Sequence, residues 1–239
     1  MSNALILTAA GNSTRMGGSI KKEYLPLSIG PEGTASVISE ALYIFLSTNL
    51  FKYIIITVPS LGEAEARRVI AADARIKQFL VKDGIDLLFT EGGLSRQESV
   101  RRGLELLMSS TQDLPITLQP EIVLIHDGAR PWIKEATIRA VLEGTRLNGA
   151  SVPAVNSVDT QKETDGQGKI LRHLDRSRVV SVQTPQGFRF LPLYVAHRQA
   201  AEDGSTYTDD TEIWGRYAGD VFICEGDREN RKITYQGDI

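Results

Sequence analysis

Short apolar runs alternate with longer segments of helical periodicity over the first 150 residues. Each apolar run is about the length of a buried strand. The runs cover residues 4–7, 53–58, 85–90 and 122–125, and the predicted helices cover 35–46, 63–79, 95–107 and 138–148. Strand and helix therefore alternate four times. This predicts an α/β fold, a Rossmann-like, mostly parallel sheet with helices on both faces.

The alternation ends near residue 150. Segments 159–163 and 170–174 flank a glycine-containing turn at 165–168, which predicts a protruding β-hairpin with little core of its own. The pattern then predicts returning strands at 179–184, 221–225 and 232–235 and helices at 191–202 and 209–217, the second capped by Thr208. Because 239 residues lie below the ~250–300 at which single cores stop growing, we expect one domain over 1–239 with an arm at about 151–178.

Composition excludes several classes of protein. The net charge of −3 provides no general attraction to nucleic acid, so any polyanion must be bound locally. A single cysteine, Cys224, excludes an internal disulfide and a Cys-rich zinc site and is consistent with a reducing cytoplasm. The first apolar run is too short for a signal peptide, and no stretch approaches the ~18 apolar residues of a membrane helix. We therefore expect a cytoplasmic protein without a nucleic-acid or membrane partner.

The loop after the first strand carries the clearest candidate chemistry. It begins with the small residues 8–11, which let a ligand approach the backbone, and continues with the cations Arg15, Lys21 and Lys22. Backbone N–H groups next to Arg and Lys suit a polyphosphate. Neither the Walker loop nor the dinucleotide fingerprint fits, because Met16 and Ser13 occupy required positions. The alternative is a glycine turn with solvated cations, but the spacing A-A-G-x-x-x-R-M-G then K-x-Y is typical of nucleotidyltransferases that activate sugars and alditol phosphates.

Two further strand ends carry candidate residues. Gly92 and Gly93 precede a helix start with Arg96 and Ser99 in its first turns, where free N–H groups could meet a base or ribose. A well-capped structural helix, with Ser95 and Glu98 as the capping box, is an equal alternative.

Asp127 ends the strand at 122–125 beside a glycine, a usual way to present one carboxylate to Mg²⁺. A turn or cap residue is the alternative for Asp127. His126 is predicted to be packed rather than a base, and Arg130 could pin the loop through an ion pair. Near the C-terminus Lys232 could hold a second substrate's phosphate, although a lone lysine is more often solvated.

The order and spacing of these pieces resemble the 2-C-methyl-D-erythritol 4-phosphate cytidylyltransferases of the non-mevalonate isoprenoid pathway. The shared motifs run from about residue 4 to the C-terminus: A-A-G-x-x-x-R-M-G, K-x-Y, G-G-x-x-R-x-x-S-V, H-D-x-A-R-P, D-T, T-P-Q, T-D-D and N-x-K-I-T. The resemblance implies CTP and methylerythritol phosphate as substrates, with Mg²⁺ or another divalent cation. It implies CTP contacts at Ala9, Ala10, Gly11, Gly93 and Ser99. It assigns transition-state stabilisation to Arg15 and Lys22, the metal to Asp127 and the acceptor phosphate to Lys232.

The resemblance also implies a homodimer in which the arm of each subunit reaches the other's site. Val158 stands at a substrate-positioning place of the arm that is often basic or polar in the family, and Lys21 stands where proline is common. Relatives usually continue past the position of Ile239 into a short helix, so a less covered edge is expected there. Two alternatives remain open: a sister cytidylyltransferase acting on ribitol 5-phosphate, and a non-catalytic nucleotide-binding regulatory module. The failed fingerprint disfavours an NAD-dependent oxidoreductase.

Overall fold

A computed structural model describes residues 2–11, 13, 21–29, 35–80 and 84–239. Its strands are β1 (Ser2–Thr8), β2 (Phe51–Val58), β3 (Asp86–Glu91), β4 (Pro120–Asp127), β5 (Ala150–Asn156), β6 (Lys162–Thr164), β7 (Ile170–His173), β8 (Val180–Val182), β9 (Gln186–Arg189) and β10 (Phe222–Glu225). Its α-helices are α1 (Val37–Ser47), α2 (Glu63–Ala72), α3 (Ala74–Leu80), α4 (Arg96–Thr111), α5 (Glu135–Asn148), α6 (Phe190–Glu202) and α7 (Asp210–Tyr217). No helix of these described ranges is long and apolar enough to cross a membrane.

The main sheet confirms the predicted α/β fold. Its strand order is β10-β5-β9-β4-β1-β2-β3, with β8 paired to β5. Strands β1 to β4 run parallel to one another, while β8 and β9 run antiparallel to their neighbours. The carboxyl ends of β1 to β4 therefore meet at one edge, which is where ligands of open α/β sheets bind.

Alternating side chains of the central strands build a core on each face of the sheet. In β1, Leu5 and Leu7 face the cluster formed with α1, α2, α3 and α5, whereas Ala4 and Ile6 face α4, α6 and α7. A parallel strand buried on both faces needs an unbroken apolar run, because successive side chains point to opposite sides. The short apolar runs of the sequence are therefore explained by helices on both faces.

Helix boundaries follow local capping. Ser36 caps α1 reciprocally with Ser39. The Ser95 side chain accepts from the Glu98 N–H at the start of α4, as predicted, but the Glu98 carboxylate accepts from the Leu94 N–H and does not close a capping box with Ser95. The prediction of one helix over 63–79 is wrong, because Asp73 interrupts it between α2 and α3. Its buried carboxylate accepts from the Arg75 guanidinium and from the Ser39 hydroxyl. That side-chain pairing replaces the helical continuation at Asp73.

Two further boundaries differ from prediction. The N-cap of α7 is Asp209 rather than Thr208, since the Asp209 carboxylate accepts from the Glu212 N–H. The predicted strand at 232–235 is not a strand. The Ile233 N–H donates to the Ala129 carbonyl over 2.8 Å and its side chain is buried, so this segment is held by single bonds rather than by a ladder.

The arm leaves the sheet after Asn156. Residues of β5 pair with β8, β9 and β10, so the first part of the 151–178 region belongs to the sheet. Beyond it, β6 and β7 form a separate antiparallel hairpin whose side chains are exposed, including Ile170 and Leu171. Within one chain this hairpin has no core, which matches the sequence prediction.

Candidate active site

A cleft of about 680 Å³ opens at the carboxyl edge of β1 to β4. Among the described residues it is lined by Thr8, Ala10, Gly11, Ser13, Lys22, Glu23, Pro59, Ser60, Glu91, Gly92, Gly93, Leu94, Ser95, Arg96, Ser99, Arg102, Asp127, Ala129, Lys232 and Thr234. Strand register explains the convergence, because Thr8 is paired with both Thr57 and Asp127 across its two neighbours. Most of the polar residues predicted from separate motifs thus face one cavity.

The loop after β1 forms one wall. Ala10 and Gly11 line the cleft, and a side chain added at Gly11 would meet nothing within 4 Å. Ala9 is instead only 1% exposed, and its N–H donates to the Thr57 carbonyl, so its side chain lies beneath the cleft. Arg15, the predicted transition-state cation, lies outside the residues that the structure describes.

Lys21 and Lys22 follow this loop and have different partners. The Lys21 ammonium donates to the Gly11 carbonyl and forms an ion pair with Glu23 at 3.4 Å. It thereby joins the two ends of the loop. Lys22 begins a 3₁₀ turn, Lys22–Tyr24, and is largely buried. Its Nζ donates to the Ile233 carbonyl over 2.9 Å, which ties the loop to the C-terminal segment.

The start of α4 forms the opposite wall. The Ser99 hydroxyl accepts from the Gly93 N–H over 3.0 Å and donates to the Ser95 carbonyl. A Cβ at Gly92 would stand 2.1 Å from the Ala10 Cβ, so glycine is required there for the two loops to pack together. The sequence suggested room for a ligand at both glycines, whereas the structure fills the space at Gly92 with Ala10 and the space at Gly93 with the Glu98 side chain, 2.2 Å from an added Cβ.

Asp127 is surrounded by cations. Its Oδ2 atom lies 2.8 Å from the Lys232 ammonium and 3.5 Å from Arg130 Nε. Its Oδ1 atom lies 3.5 Å from Arg96 Nε and from the Thr8 hydroxyl. Burial raises the pKa of Asp127, but Lys232, Arg96 and Arg130 outweigh it and hold the pKa well below its usual value. The carboxylate is therefore ionised throughout the pH range in which proteins work.

His126 is a packed residue, as predicted. Its Nε2 faces the Arg130 carbonyl at 3.1 Å and must carry the proton, because a carbonyl only accepts. Its Nδ1 then accepts from the Thr184 hydroxyl, which itself accepts from the Asp127 N–H. Burial lowers the pKa of His126 to about 4. The neutral ring thus fixes the backbone of Asp127 rather than exchanging protons with a ligand.

Some predicted residues lie elsewhere. Val158 is 60% exposed at the base of the arm and does not line the cleft of this chain. Asp210 of the T-D-D motif is buried and accepts from the Arg96 guanidinium. Arg130 pins the loop as predicted, donating from Nη1 to the Asn230 carbonyl over 2.7 Å.

Sequence reasoning missed other members of the cleft. Arg102 donates to the Gly92 carbonyl and forms an ion pair with Glu98 at 2.7 Å. Glu91 accepts from the Leu61 N–H and so fixes the loop after β2. The signal available for Glu91 was its position as the last residue of a parallel strand, which places it at the ligand edge.

The side chains of the cleft can be compared with the ligands that a divalent metal ion needs. Within the described ranges no group of three or more His, Cys, Asp or Glu side chains could hold a metal. Mg²⁺ commonly uses one or two carboxylates and completes its shell with water and substrate phosphates. Asp127 fits that use, because it lines the cleft and because Arg96 and the Thr8 hydroxyl approach its Oδ1 no closer than 3.5 Å.

A parallel sheet whose carboxyl edge carries a small-residue loop, fixed cations and one ionised carboxylate defines a nucleotide-binding α/β protein. The family model described as "IspD: 2-C-methyl-D-erythritol 4-phosphate cytidylyltransferase" matches residues 3–239, and the chain belongs to that family.

Individual relatives agree with this assignment. The 2-C-methyl-D-erythritol 4-phosphate cytidylyltransferase of Clostridium beijerinckii is 34% identical over 239 residues, which cover 100% of this chain and 95% of that protein. The bifunctional enzyme IspD/IspF of Bradyrhizobium diazoefficiens is 35% identical over 99% of this chain. This chain spans only 54% of that relative, about half its length. The crystal structure of 2-C-methyl-D-erythritol 4-phosphate cytidylyltransferase from Thermus thermophilus superposes with a TM-score of 0.71 at 26% identity, covering 100% of this chain and 95% of that one.

Proposed function

We propose that this chain is a cytidylyltransferase that transfers CMP from CTP to 2-C-methyl-D-erythritol 4-phosphate. The products are 4-diphosphocytidyl-2-C-methyl-D-erythritol and pyrophosphate. The observation that carries the proposal is the convergence of Lys22, Asp127 and Lys232 on one cleft in a chain that belongs to this family. Membership of that family supports the choice of both substrates.

The reaction needs cations that offset negative charge rather than a strong base. A phosphate oxygen of the acceptor attacks the α-phosphorus of CTP in line, and the bond to the pyrophosphate oxygen breaks. A phosphate monoester is already anionic near pH 7, so no proton has to be removed first. The barrier is the repulsion between two anions, and preorganised cations lower it. In this proposal Arg15 and Lys22 serve the triphosphate, and Lys232 serves the phosphate of the acceptor.

The nucleotide would lie between the loop after β1 and the start of α4. We assign CTP contacts to Ala9, Ala10, Gly11, Gly93 and Ser99, which the family motifs supply. Asp127 would hold Mg²⁺ or another divalent cation through Oδ1. When bound, such a cation neutralises phosphate charge and helps to align the reacting groups. Lys232 and Arg130 would remain on the Oδ2 side, where they now lie.

We further propose a homodimer assembled through the arm. The β6–β7 hairpin exposes Ile170 and Leu171, and Val158 is exposed at its base. An isolated two-stranded hairpin is marginal in water, so a second subunit is the natural cover for these apolar side chains. Val158 would then meet the acceptor only in the partner's site. We expect the protein to act in the cytoplasm.

The test is pyrophosphate release from CTP against a panel of alditol phosphates at fixed Mg²⁺. Methylerythritol phosphate should give the highest kcat/KM. If ribitol 5-phosphate gave the higher value, the class of reaction would stand and the acceptor would be wrong. Tight CTP binding without turnover on any member of the panel would instead support a regulatory module.

A further inference from the structure

A line of charges runs from Asp127 through Arg96, a partly exposed residue of the cleft wall, to the buried Asp210. Arg96 Nε lies 3.5 Å from Asp127 Oδ1, and Arg96 Nη1 lies 2.7 Å from Asp210 Oδ2. The other oxygen of Asp210 lies 3.1 Å from His197 Nε2. The side chains of Asp210 and His197 are fully buried. The proposed reaction uses Asp127 but leaves Asp210 and His197 without a role.

The segment that carries Asp210 is docked onto the start of α4. The Tyr207 N–H donates to the Gln97 side chain over 3.2 Å, next to Arg96 in sequence. Asp209 accepts from the Gln186 amide of β9 over 2.8 Å. Asp210 is therefore anchored from two sides and cannot follow Arg96 if the guanidinium moves.

The two contacts of Arg96 are unequal. Its contact with Asp210 is a short charge-assisted hydrogen bond, whereas its contact with Asp127 is an ion pair without a hydrogen bond. Burial lowers the pKa of Arg96, but Asp210 and Asp127 outweigh it and raise the pKa above its usual value. Burial likewise raises the pKa of Asp210, but Arg96 and His197 outweigh it and lower the pKa. The guanidinium is thus held more closely by Asp210 than by Asp127.

We propose that Asp210, oriented by His197, is a positioning residue that holds Arg96 off Asp127 so that Oδ1 of Asp127 stays open to the cleft for the divalent cation. Lys232 already occupies the Oδ2 side at 2.8 Å. If Arg96 closed on Oδ1 as well, both oxygens would be hydrogen-bonded to protein cations. The metal would then have to displace an arginine. This inference rests on the proposed function, because it gives Asp127 the metal.

The experiment compares Asp210→Asn with Asp73→Asn. Asp73 is a matched control, because it is also fully buried, it also pairs with an arginine at 2.7 Å, and it lies outside the cleft. Mn²⁺ binding in the presence of CTP, measured by electron paramagnetic resonance, reports on the metal without turnover. Kinetics of pyrophosphate release then give kcat and both KM values. Both variants should lose thermal stability, so stability alone does not distinguish them.

We expect Asp210→Asn to weaken Mn²⁺ binding and lower kcat/KM by between about 3-fold and 100-fold, the range for residues that share one ion-pair network. Asp73→Asn should change neither by more than about 2-fold at a temperature where it is folded. In an Arg96→Gln background, Asp210→Asn should add nothing further, because the residue that it restrains is gone. Full additivity in that double variant would overturn the proposal.

His197→Phe keeps an aromatic ring but removes the donor to Asp210. This variant tests the role of Asp210 if Asp210→Asn does not fold. Like Asp210→Asn, it should weaken Mn²⁺ binding. Unchanged Mn²⁺ affinity in a folded Asp210→Asn or His197→Phe protein would refute the role of Asp210. Since the Mn²⁺ measurement needs no acceptor, the network can be tested even if the native enzyme proves inactive with methylerythritol phosphate.

Discussion

Single residues show how charge is concentrated in the cleft. Asp127 has Arg96, Arg130 and Lys232 around it, and only Arg130 is its neighbour in sequence. The carboxylate itself was predictable, because it ends an apolar run beside a glycine. Its other partners lie far along the chain, so no local pattern could reveal them. The ion pair between Lys232 and Asp127 is the clearest example.

Lys232 is expected to govern the acceptor. Lys232→Ala should raise KM for the acceptor far more than KM for CTP, since its ammonium would hold the acceptor phosphate. Steady-state kinetics with each substrate varied in turn measure the split. Arg231→Ala is the matched control, because Arg231 is the adjacent cation and its guanidinium stacks 4.6 Å from the Trp132 ring. Equal KM changes for both substrates in Lys232→Ala would contradict this assignment.

Lys22 is expected to act on the chemical step. Lys22→Ala should lower kcat by ~10²-fold or more, the scale for losing one preorganised donor, and Arg15→Ala should do the same. Lys22→Arg should rescue only in part, because a planar guanidinium cannot replace a compact ammonium in a buried position. Near-normal turnover in either alanine variant would remove that residue from the mechanism.

At the scale of elements, the sequence was most informative where structure is local. The caps Ser36 and Ser95 follow from residue type and spacing, and both are present. The break at Asp73 was not predictable, because it depends on Ser39 in a different helix. The burial of Asp210 likewise depends on Arg96, more than a hundred residues earlier. Prediction failed where a polar residue found its partner in another element.

The contact between the β1 loop and the α4 loop can be tested at two glycines. Gly92→Ala should lower stability by roughly 1–3 kcal/mol, the cost of overpacking, since its new Cβ would stand 2.1 Å from Ala10 Cβ. Gly11→Ala serves as the matched control for stability, because nothing lies within 4 Å of the added atom. Thermal or urea unfolding measures both. Similar stability of the two variants would mean that the loops are not packed as described.

At the scale of the whole molecule, the α/β class followed from periodicity alone. The position of β9 did not, because an antiparallel strand between β4 and β5 leaves no distinctive pattern in sequence. The location of the cleft was predictable, since parallel strands end at one edge of the sheet. Its volume and the contacts between its walls could be read only from the folded structure. The segment around Lys232 was mistaken for a strand. Its one apolar residue, Ile233, is buried, but the segment forms no ladder of strand hydrogen bonds.

Subunit assembly is tested by hydrodynamics. The native chain should sediment as a dimer at micromolar concentration, because a second copy is the proposed cover for the exposed apolar side chains of the arm. Replacing residues 160–173 by a short glycine–serine loop should give a folded monomer, since β6 and β7 pair only with each other. A stable, fully active monomer of the native chain would refute the role given to the arm.

Stability should fall in mild acid because of His126. Its folded pKa of about 4 lies below the ordinary ~6.5, so the unfolded chain takes up a proton first as pH falls. Stability is then complete above pH ~6.5 and decreases between pH ~6.5 and ~4, by up to roughly 3 kcal/mol. Urea unfolding across this range measures the slope. His126→Gln should flatten it, whereas His173→Gln, on the exposed arm, should not.

The bond from Lys22 to the Ile233 carbonyl has a consequence for synthesis of the chain on the ribosome. It joins residues separated by 211 positions, and Arg130 reaches Asn230 across 100. Contacts of such long range carry a large loop-closure entropy and tend to form late in folding. The sheet can therefore assemble while translation continues, but a nascent chain lacks both the carbonyl that holds Lys22 and the lysine proposed to bind the acceptor until residues 232 and 233 have emerged. Both substrates' sites would therefore be completed only after this late segment has been synthesised.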